Sequence, residues 1–194
     1  MVDRFRAAFA SQLAAKAICL QECTYADFHV HDPHPVREGK GPCHILTTGP
    51  KAKSDLYVRN SSQRPLHFVA IDQCIYTDAD PSKCDCALLD GEAIYFIEFK
   101  TSEHSINPSI PIANSNPGDC TDQLAASICD FYDRGIIQAG QQVTACASVG
   151  FPRNRPQNGA HFQEQLVSLQ RKIQLDIPRP VRLRYCSESE LDIK

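Results

Sequence analysis

Residues 83–100 read KCDCALLDGEAIYFIEFK, with two apolar runs on either side of Asp90-Gly91. An Asp-Gly pair between apolar runs predicts a β-hairpin, because a tight two-residue turn needs positive φ angles that Asp and Gly tolerate. With Asp90 and Gly91 as the loop, Leu89 faces Glu92 across the hairpin. Both faces of the two runs are largely apolar, which predicts a strand pair that is covered on both sides.

Asp85, Glu98 and Lys100 lie toward the open end of this hairpin. In the register above, Asp85 lies opposite Phe96, and Glu98 is its diagonal neighbour on the same face. Diagonal neighbours stand roughly 7–8 Å apart at the backbone, so the two carboxylates can converge on one ion. Ionised groups are rarely buried unless they are paired or hold a metal, and hard oxygen ligands favour Mg²⁺ or Mn²⁺. The alternative is that Glu98 and Lys100 reach solvent at a strand end and pair with ordinary neighbours.

The same residues form a motif, Asp85 followed by Glu98-Phe99-Lys100, which resembles the signature of the PD-(D/E)XK, or restriction-endonuclease-like, nuclease superfamily. The resemblance covers roughly residues 65–150 and includes a helix after the motif, with Gln123 near its start. It implies a single-domain restriction-endonuclease-like α/β sandwich, in which helices flank a mixed central sheet. It also implies a metal-dependent nuclease that hydrolyses phosphodiester bonds in DNA or RNA.

The resemblance also implies roles for individual residues. The catalytic residues are Asp85, Glu98, Lys100 and Gln123. The ligands of Mg²⁺ or Mn²⁺ are Asp85, Glu98 and the main-chain carbonyl of Phe99, with Glu22 and Asp72 as candidate outer ligands. Lys100 would orient or activate the attacking water, and Gln123 would position Lys100 or that water.

Two other classes of function stay open. The first is a catalytically silent or partner-dependent module of the same fold that binds nucleic acid or protein. The second is a zinc hydrolase built on His29, His31 and His34, because three imidazoles in one loop can bind Zn²⁺. That cluster is similar to a histidine signature of metallo-β-lactamase-like hydrolases, but Asp32 stands one place too early. The simpler alternative is an ordinary polar loop that carries these histidines at its surface, and the zinc hydrolase is the weakest of the three classes.

Length and composition fit one domain over residues 1–194, with 42% hydrophobic and 22% charged residues. The net charge of −3 argues against a general nucleic-acid coat protein. Two stretches lean basic and are candidate phosphate-binding surfaces: Arg37, Lys40, Lys51, Lys53, Arg59 and Arg64, then Arg153, Arg155, Arg171, Lys172, Arg179, Arg182 and Arg184. The expected partner is nucleic acid, with DNA ahead of RNA, and a homodimer or a partner subunit stays open.

Ten cysteines are present, and most lie inside apolar runs, where cysteine behaves as a small buried hydrophobe. The first residues open into an Ala-rich segment rather than a secretory leader, and no run approaches transmembrane length. We therefore predict a cytoplasmic protein with free thiols and no membrane partner. A structural metal site of cysteines is disfavoured because no Cys-x-x-Cys pair occurs.

Hydrophobic periodicity predicts the remaining elements. A first helix is expected over 3–21, since Phe5, Phe9, Leu13 and Ala17 share one face. A second helix is expected from an N-cap at Thr121 to a stop at Gly135, and a third over 160–175. Strands are expected over 43–48, 56–59, 66–71, 143–149 and 181–186. The loop 102–119 is expected to contact the substrate, because long ordered loops are usually functional.

Overall fold

The computed structural model describes residues 1–33, 38–48, 55–99, 117–148, 160–177, 181–186 and 189–193. These residues form two mixed β-sheets and several helices, which confirms the predicted α/β class. Within the described part, no helix has the length and apolar character needed to span a bilayer.

The larger sheet contains the hairpin. Its six strands are β1 Leu20–Cys23, β5 Leu66–Ala70, β6 Cys86–Leu89, β7 Ala93–Phe99, β8 Gln142–Ser148 and β9 Arg182–Cys186, in that spatial order. The pairs from β1 to β7 are antiparallel, and β8 and β9 continue parallel to β7. Every residue of β6 and β7 is buried, which confirms that the hairpin is covered on both faces.

The smaller sheet was not predicted as a separate layer. Its strands are β10 Glu190–Asp192, β4 Leu56–Arg59, β2 Asp27–His31 and β3 His44–Leu46, in that order. Strand β2 alternates polar and apolar residues but was missed because its histidines were interpreted as part of a polar loop, and β10 was missed because it has only three residues. The hydroxyl of Ser148 on β8 donates to the main-chain carbonyl of Asp55 at 2.7 Å, which joins the two sheets.

Helices cover the opposite face of the larger sheet. They are α1 Val2–Ala8, α2 Ala10–Ala15, α3 Pro117–Asp133 and α4 Ala160–Asp176. The Phe131 ring on α3 packs edge-on against Phe96 of β7 at 5.0 Å, and Phe5 of α1 lies 5.7 Å from Phe131. The helices, the larger sheet and the smaller sheet therefore form three layers, with the hairpin in the middle.

Two predicted helix boundaries are wrong. The segment 3–21 forms α1 and α2, broken at Phe9, and its last residues enter β1. Pairing of β1 with β5 in the sheet outweighs the helix propensity of an Ala-rich stretch. Helix α3 begins four residues before the expected cap at Thr121, whereas the chain does leave the helix at Gly135, where φ is +70°.

The predicted register of the hairpin is also wrong. Leu89 faces Ile94 rather than Glu92, so the turn is two residues longer than expected. The carboxylate of Asp90 stabilises this longer turn by accepting hydrogen bonds from the amides of Glu92 at 2.9 Å and Ala93 at 2.6 Å. A shift of two residues in a strand leaves every side chain on its original face.

The expectation that all cysteines are free thiols is wrong for one pair. Cys19 and Cys74 form a disulfide across 55 residues, and it joins the segment before β1 to the turn that follows β5. The other eight cysteines carry free thiols, and all but Cys129 are buried. Their burial agrees with cysteine acting as a small hydrophobic residue in the core.

Candidate active site

Asp85 lies just before β6, at the open end of the hairpin, and its backbone and side chain are both held. Its Oδ2 atom accepts a hydrogen bond from the amide of Phe99 at 2.6 Å. Its carbonyl accepts from the amides of Ile71 at 2.9 Å and Asp72 at 3.1 Å. The carboxylate is thus fixed against the end of β7, with one oxygen committed to the backbone.

Glu98 lies near the end of β7 and is 2% exposed. The register that pairs Cys86 with Ile97 brings Glu98 opposite Asp85 at the next position along the hairpin. The Oε2 atom of Glu98 is fully enclosed by protein. The two acids are therefore directly opposite each other, whereas the sequence predicted a diagonal pair on the same face.

The surroundings of Asp85 raise the pKa of its carboxyl. Burial raises the pKa of the Asp85 carboxyl well above its usual value, and the negative charges of Glu98 and Asp32 raise it further. The hydrogen bond from Phe99 acts in the opposite direction but does not outweigh them. A group with this environment is stabilised by a proton or by a cation, because either one relieves the repulsion between the acids.

Asp32 and Asp55, at neighbouring ends of the two inner strands of the smaller sheet, belong to the same acidic region. Oδ2 of Asp55 accepts from the amide of Asp32 at 2.9 Å and lies 2.8 Å from Nδ1 of His31. The thiol of Cys43 donates to Oδ1 of Asp32 at 3.5 Å. Burial, followed by the charge of Asp55, raises the pKa of Asp32 from 3.8 to about 6.

Sequence reasoning did not place Asp32 and Asp55 near the hairpin acids. The available signal was that Asp32 directly follows β2 and Asp55 directly precedes β4, two strands that pair antiparallel. Pairing of Val30 with Leu56 makes these strand ends neighbours. The approach of these strand ends to Asp85 depends on how the two sheets stack, which no local pattern encodes.

Helix α3 holds the chain just before Asp85. The amide of Cys84 donates to the hydroxyl of Ser127 at 2.9 Å, and that hydroxyl donates to the carbonyl of Gln123 at 2.9 Å. Nε2 of Gln123 donates to the carbonyl of Lys83 at 3.3 Å. Gln123, expected to position Lys100 or a water, therefore contacts the chain that carries Asp85.

The remaining predicted site residues have different outcomes. Asp72 adjoins the site, and burial raises its pKa. Glu22 does not adjoin the site. It is exposed on β1 and pairs with His67 of β5, and His67 pairs in turn with Leu89 at the closed end of the hairpin. Glu22 is thus separated from Asp85 by about four residues of strand, or roughly 13 Å. Lys100 and most of the loop 102–119 lie outside the described residues.

The histidine cluster does not form a zinc site in the described residues. His29 is 8% exposed and packs against the Tyr57 ring at 5.2 Å. Both ring nitrogens of His31 face carboxylates, Nδ1 at Asp55 and Nε2 at Glu38, which lies 3.0 Å away. Burial disfavours protonation of His31, but these carboxylates outweigh it and raise its pKa. His34 lies outside the described residues.

The donor set fits a hard divalent cation that keeps much of its water. Among the described residues, no three His, Cys, Asp or Glu side chains are grouped so as to hold an ion by themselves. Mg²⁺ usually takes only one or two carboxylates and fills its remaining positions with water and substrate oxygens. Asp85 and Glu98 meet that requirement, with the main-chain carbonyl of Phe99 beside them at the end of β7.

The described basic residues do not gather at the acids. Lys40, Arg59 and Arg64 each pair with a nearby acid: Asp78 at 2.8 Å, Asp192 at 3.1 Å and Asp90 at 3.8 Å, respectively. Lys172 pairs with Asp122 between α4 and α3. Arg37, Lys51, Lys53, Arg153, Arg155 and Arg179 lie outside the described residues.

Comparisons with known proteins add no relative. No family model, no curated protein and no solved structure matches this chain. The assignment of a function therefore depends on the chemistry of the site.

Proposed function

We propose that this protein is a metal-dependent nuclease that hydrolyses phosphodiester bonds, with DNA as the first candidate substrate. One observation carries the proposal: two carboxylates, of the buried Glu98 and the half-buried Asp85, lie opposite each other at the ends of adjacent strands. Two acids in such a position repel each other, and a divalent cation relieves that repulsion. The apolar hairpin around them has no structural need for buried charge.

The proposal includes a restriction-endonuclease-like fold. It is supported by the order of the elements around the motif: an antiparallel meander of β5, β6 and β7, then α3, then β8 parallel to β7. In this arrangement both acids lie at the same end of two inner strands of a mixed sheet, and helix α3 contacts the chain before Asp85. That helix supplies Gln123 and Ser127 to the chain that leads into Asp85.

In the proposed mechanism, Asp85 and Glu98 would hold Mg²⁺ or Mn²⁺ with the carbonyl of Phe99. When bound, such an ion would supply a Lewis acid that polarises a phosphate oxygen and lowers the pKa of a coordinated water. The amide of Phe99 keeps Asp85 oriented, so that its second oxygen remains available. Lys100, two residues after Glu98, is proposed to orient the attacking water and to offset the charge that develops on the phosphate.

Cleavage of labelled DNA and RNA with Mn²⁺ or Mg²⁺ tests this function. We expect wild-type cleavage that chelator abolishes, and a loss of at least about a hundredfold in both Asp85→Asn and Glu98→Gln. Glu92→Gln is the matched control, because Glu92 is an exposed acid at the closed end of the same hairpin. Cleavage that survives both substitutions would reject the proposal.

A partner-dependent module of the same fold is the second candidate. It is favoured by the ion pairs of Lys40, Arg59 and Arg64, because an acid beside each cation weakens its attraction for a phosphate. A partner would then supply the basic surface that brings nucleic acid to the acids. Metal binding at Asp85 and Glu98 without cleavage of any isolated strand is the result that distinguishes this candidate.

A further inference from the structure

A pocket of about 380 Å³ opens beside the acidic region, between the edge of the larger sheet and residues 38–44. Two of its lining residues connect the pocket to the acidic region. Ala70 pairs with Cys86, the chain neighbour of Asp85, across β5 and β6. Cys43 donates its thiol to Asp32 at 3.5 Å. The pocket is therefore about one strand spacing, roughly 5 Å, from the backbone that carries Asp85.

The lining of this pocket is apolar with a few neutral polar groups. Ile18, Pro33 and Pro42 supply apolar walls, while Gln21 and His44 supply an amide and an imidazole. Its volume lies near the lower end of the range of about 300–1,000 Å³ that is typical of small-ligand pockets. A space of this size accepts one flat ring system and excludes a base pair within a helix.

The charged groups of the lining are already matched. Nζ of Lys40 lies 2.9 Å and 2.8 Å from the two carboxylate oxygens of Asp78. Glu38 approaches Nε2 of His31 at 3.0 Å. A phosphate would have to compete with Asp78 for Lys40, so the pocket favours an uncharged ligand with hydrogen-bonding edges and apolar faces.

We propose that this pocket holds an unpaired nucleobase of the strand whose phosphate lies at Asp85 and Glu98. The inference rests on the proposed nuclease function and specifies its substrate as single-stranded nucleic acid, or a strand end that has come unpaired. The apolar walls contact the faces of the base, while Gln21 and His44 contact its polar edge. A paired base inside a duplex cannot enter without leaving its stack.

Gly41 offers a way to fill the pocket. A Cβ added at Gly41 would meet only Pro33, at an ordinary distance of 3.9 Å, and both residues line the pocket. Gly41→Phe should therefore occupy the space that the base would take. Ile18→Glu is a second variant, because Ile18 is 61% exposed at the rim and the fold tolerates a charge there. Ala139→Phe is the matched control, because Ala139 is an exposed residue shortly before the first residue of β8 and does not line the pocket.

The experiment titrates the protein of residues 1–194 into single-stranded DNA that carries one 2-aminopurine, with chelator present so that no cleavage occurs. We expect a saturable fluorescence change for wild type and Ala139→Phe, and affinity weakened at least about tenfold in Gly41→Phe and Ile18→Glu. The same oligonucleotide as a duplex should bind at least about tenfold more weakly. An RNA strand of the same sequence shows whether the protein distinguishes ribose from deoxyribose. Circular dichroism of each variant verifies that it is folded.

The outcomes separate this inference from the nuclease proposal. Equal affinity of wild type and both pocket variants, or equal affinity for strand and duplex, would overturn the base pocket even if metal-dependent cleavage is found. Base binding that both variants lose, in a protein that cleaves nothing, would support the pocket and reject the nuclease.

Discussion

Asp85 is held by hydrogen bonds to its side chain, to its carbonyl and to the residue before it. Its carboxylate accepts the amide of Phe99, its carbonyl accepts two further amides, and the preceding amide of Cys84 is bound by Ser127. A side chain whose position is fixed before a ligand arrives loses little freedom on binding. This restraint supports the proposal that Asp85 is a metal ligand.

Replacement of Ser127 tests the restraint on Asp85. Ser127→Ala leaves the buried amide of Cys84 without its hydroxyl acceptor, and we expect the free energy of unfolding to fall by about 1–3 kcal/mol. Urea denaturation measures the change. Ser62→Ala, at an exposed turn position, should change stability by less than about 0.5 kcal/mol. Equal effects of the two substitutions would show that Ser127 does not hold this segment.

The raised pKa of Asp32 predicts how stability depends on pH. The folded protein binds a proton at Asp32 more tightly than the unfolded chain does, between the ordinary pKa of 3.8 and about 6. In metal-free protein the contribution of Asp32 to unfolding free energy therefore falls as pH rises through that window, by at most about 3 kcal/mol. Asp32→Asn removes the effect, because an amide does not titrate.

Urea denaturation in chelator, from about pH 4 to about pH 7, measures this difference between wild type and Asp32→Asn. We expect the stability of the variant relative to wild type to increase as pH rises. Parallel stability profiles would contradict the assigned environment of Asp32. Added Mn²⁺ should stabilise wild type more at neutral than at acidic pH, because protons and metal compete for the same carboxylates.

The hairpin shows which features of an element can be predicted. The two-residue periodicity of a strand allowed the buried faces, and the face that carries Asp85 and Glu98, to be predicted. Both predictions hold because a register shift of two residues leaves every side chain on its face. The turn itself was mispredicted because Asp90 uses its side chain to accept two amides, which the Asp-Gly pair alone does not specify. Similarly, the propensity of residues 3–21 for helix was overridden by strand pairing at Leu20–Cys23.

Loss of the Asp90 side chain should open this turn. We expect Asp90→Ala to lower the free energy of unfolding by about 1–2 kcal/mol, because two turn amides lose their acceptor. Asp90→Asn keeps one acceptor oxygen and should lose less than half as much. Thermal or urea unfolding compares the two. An equal loss in both variants would assign the effect to the charge of Asp90 near Arg64 rather than to the turn.

At the scale of the whole molecule, the acidic region is assembled from two layers. The motif in residues 85–100 allowed the hairpin acids to be predicted, whereas Asp32 and Asp55 reach the region only through stacking of the smaller sheet on the larger one. Contacts between distant segments of this kind have no signature in a single sequence. The same holds for Cys19 and Cys74, which pair across 55 residues.

The disulfide should contribute to global stability. Closing a loop of 55 residues in the unfolded chain corresponds to about 4 kcal/mol in the chain-entropy account, with measured values of about 2–4 kcal/mol. We expect the double substitution Cys19→Ser and Cys74→Ser to lower the free energy of unfolding by that amount, which shifts the urea midpoint to lower concentration. Cys129→Ser is the control, since Cys129 is a half-buried free thiol. Midpoints that do not differ would show that the link adds nothing to the fold.

Calorimetric titration of Mn²⁺ into the metal-free protein at neutral pH tests the central claim most directly. We predict that wild type and Glu92→Gln bind Mn²⁺ with the same affinity, and that Asp85→Asn and Glu98→Gln each bind at least about tenfold more weakly. Removal of either acid leaves a single carboxylate, so the ion loses one of its two anionic protein ligands and part of its electrostatic attraction to the site. Wild-type protein that binds no Mn²⁺, or variants that bind it as wild type does, would contradict the assignment of Asp85 and Glu98 as a metal site.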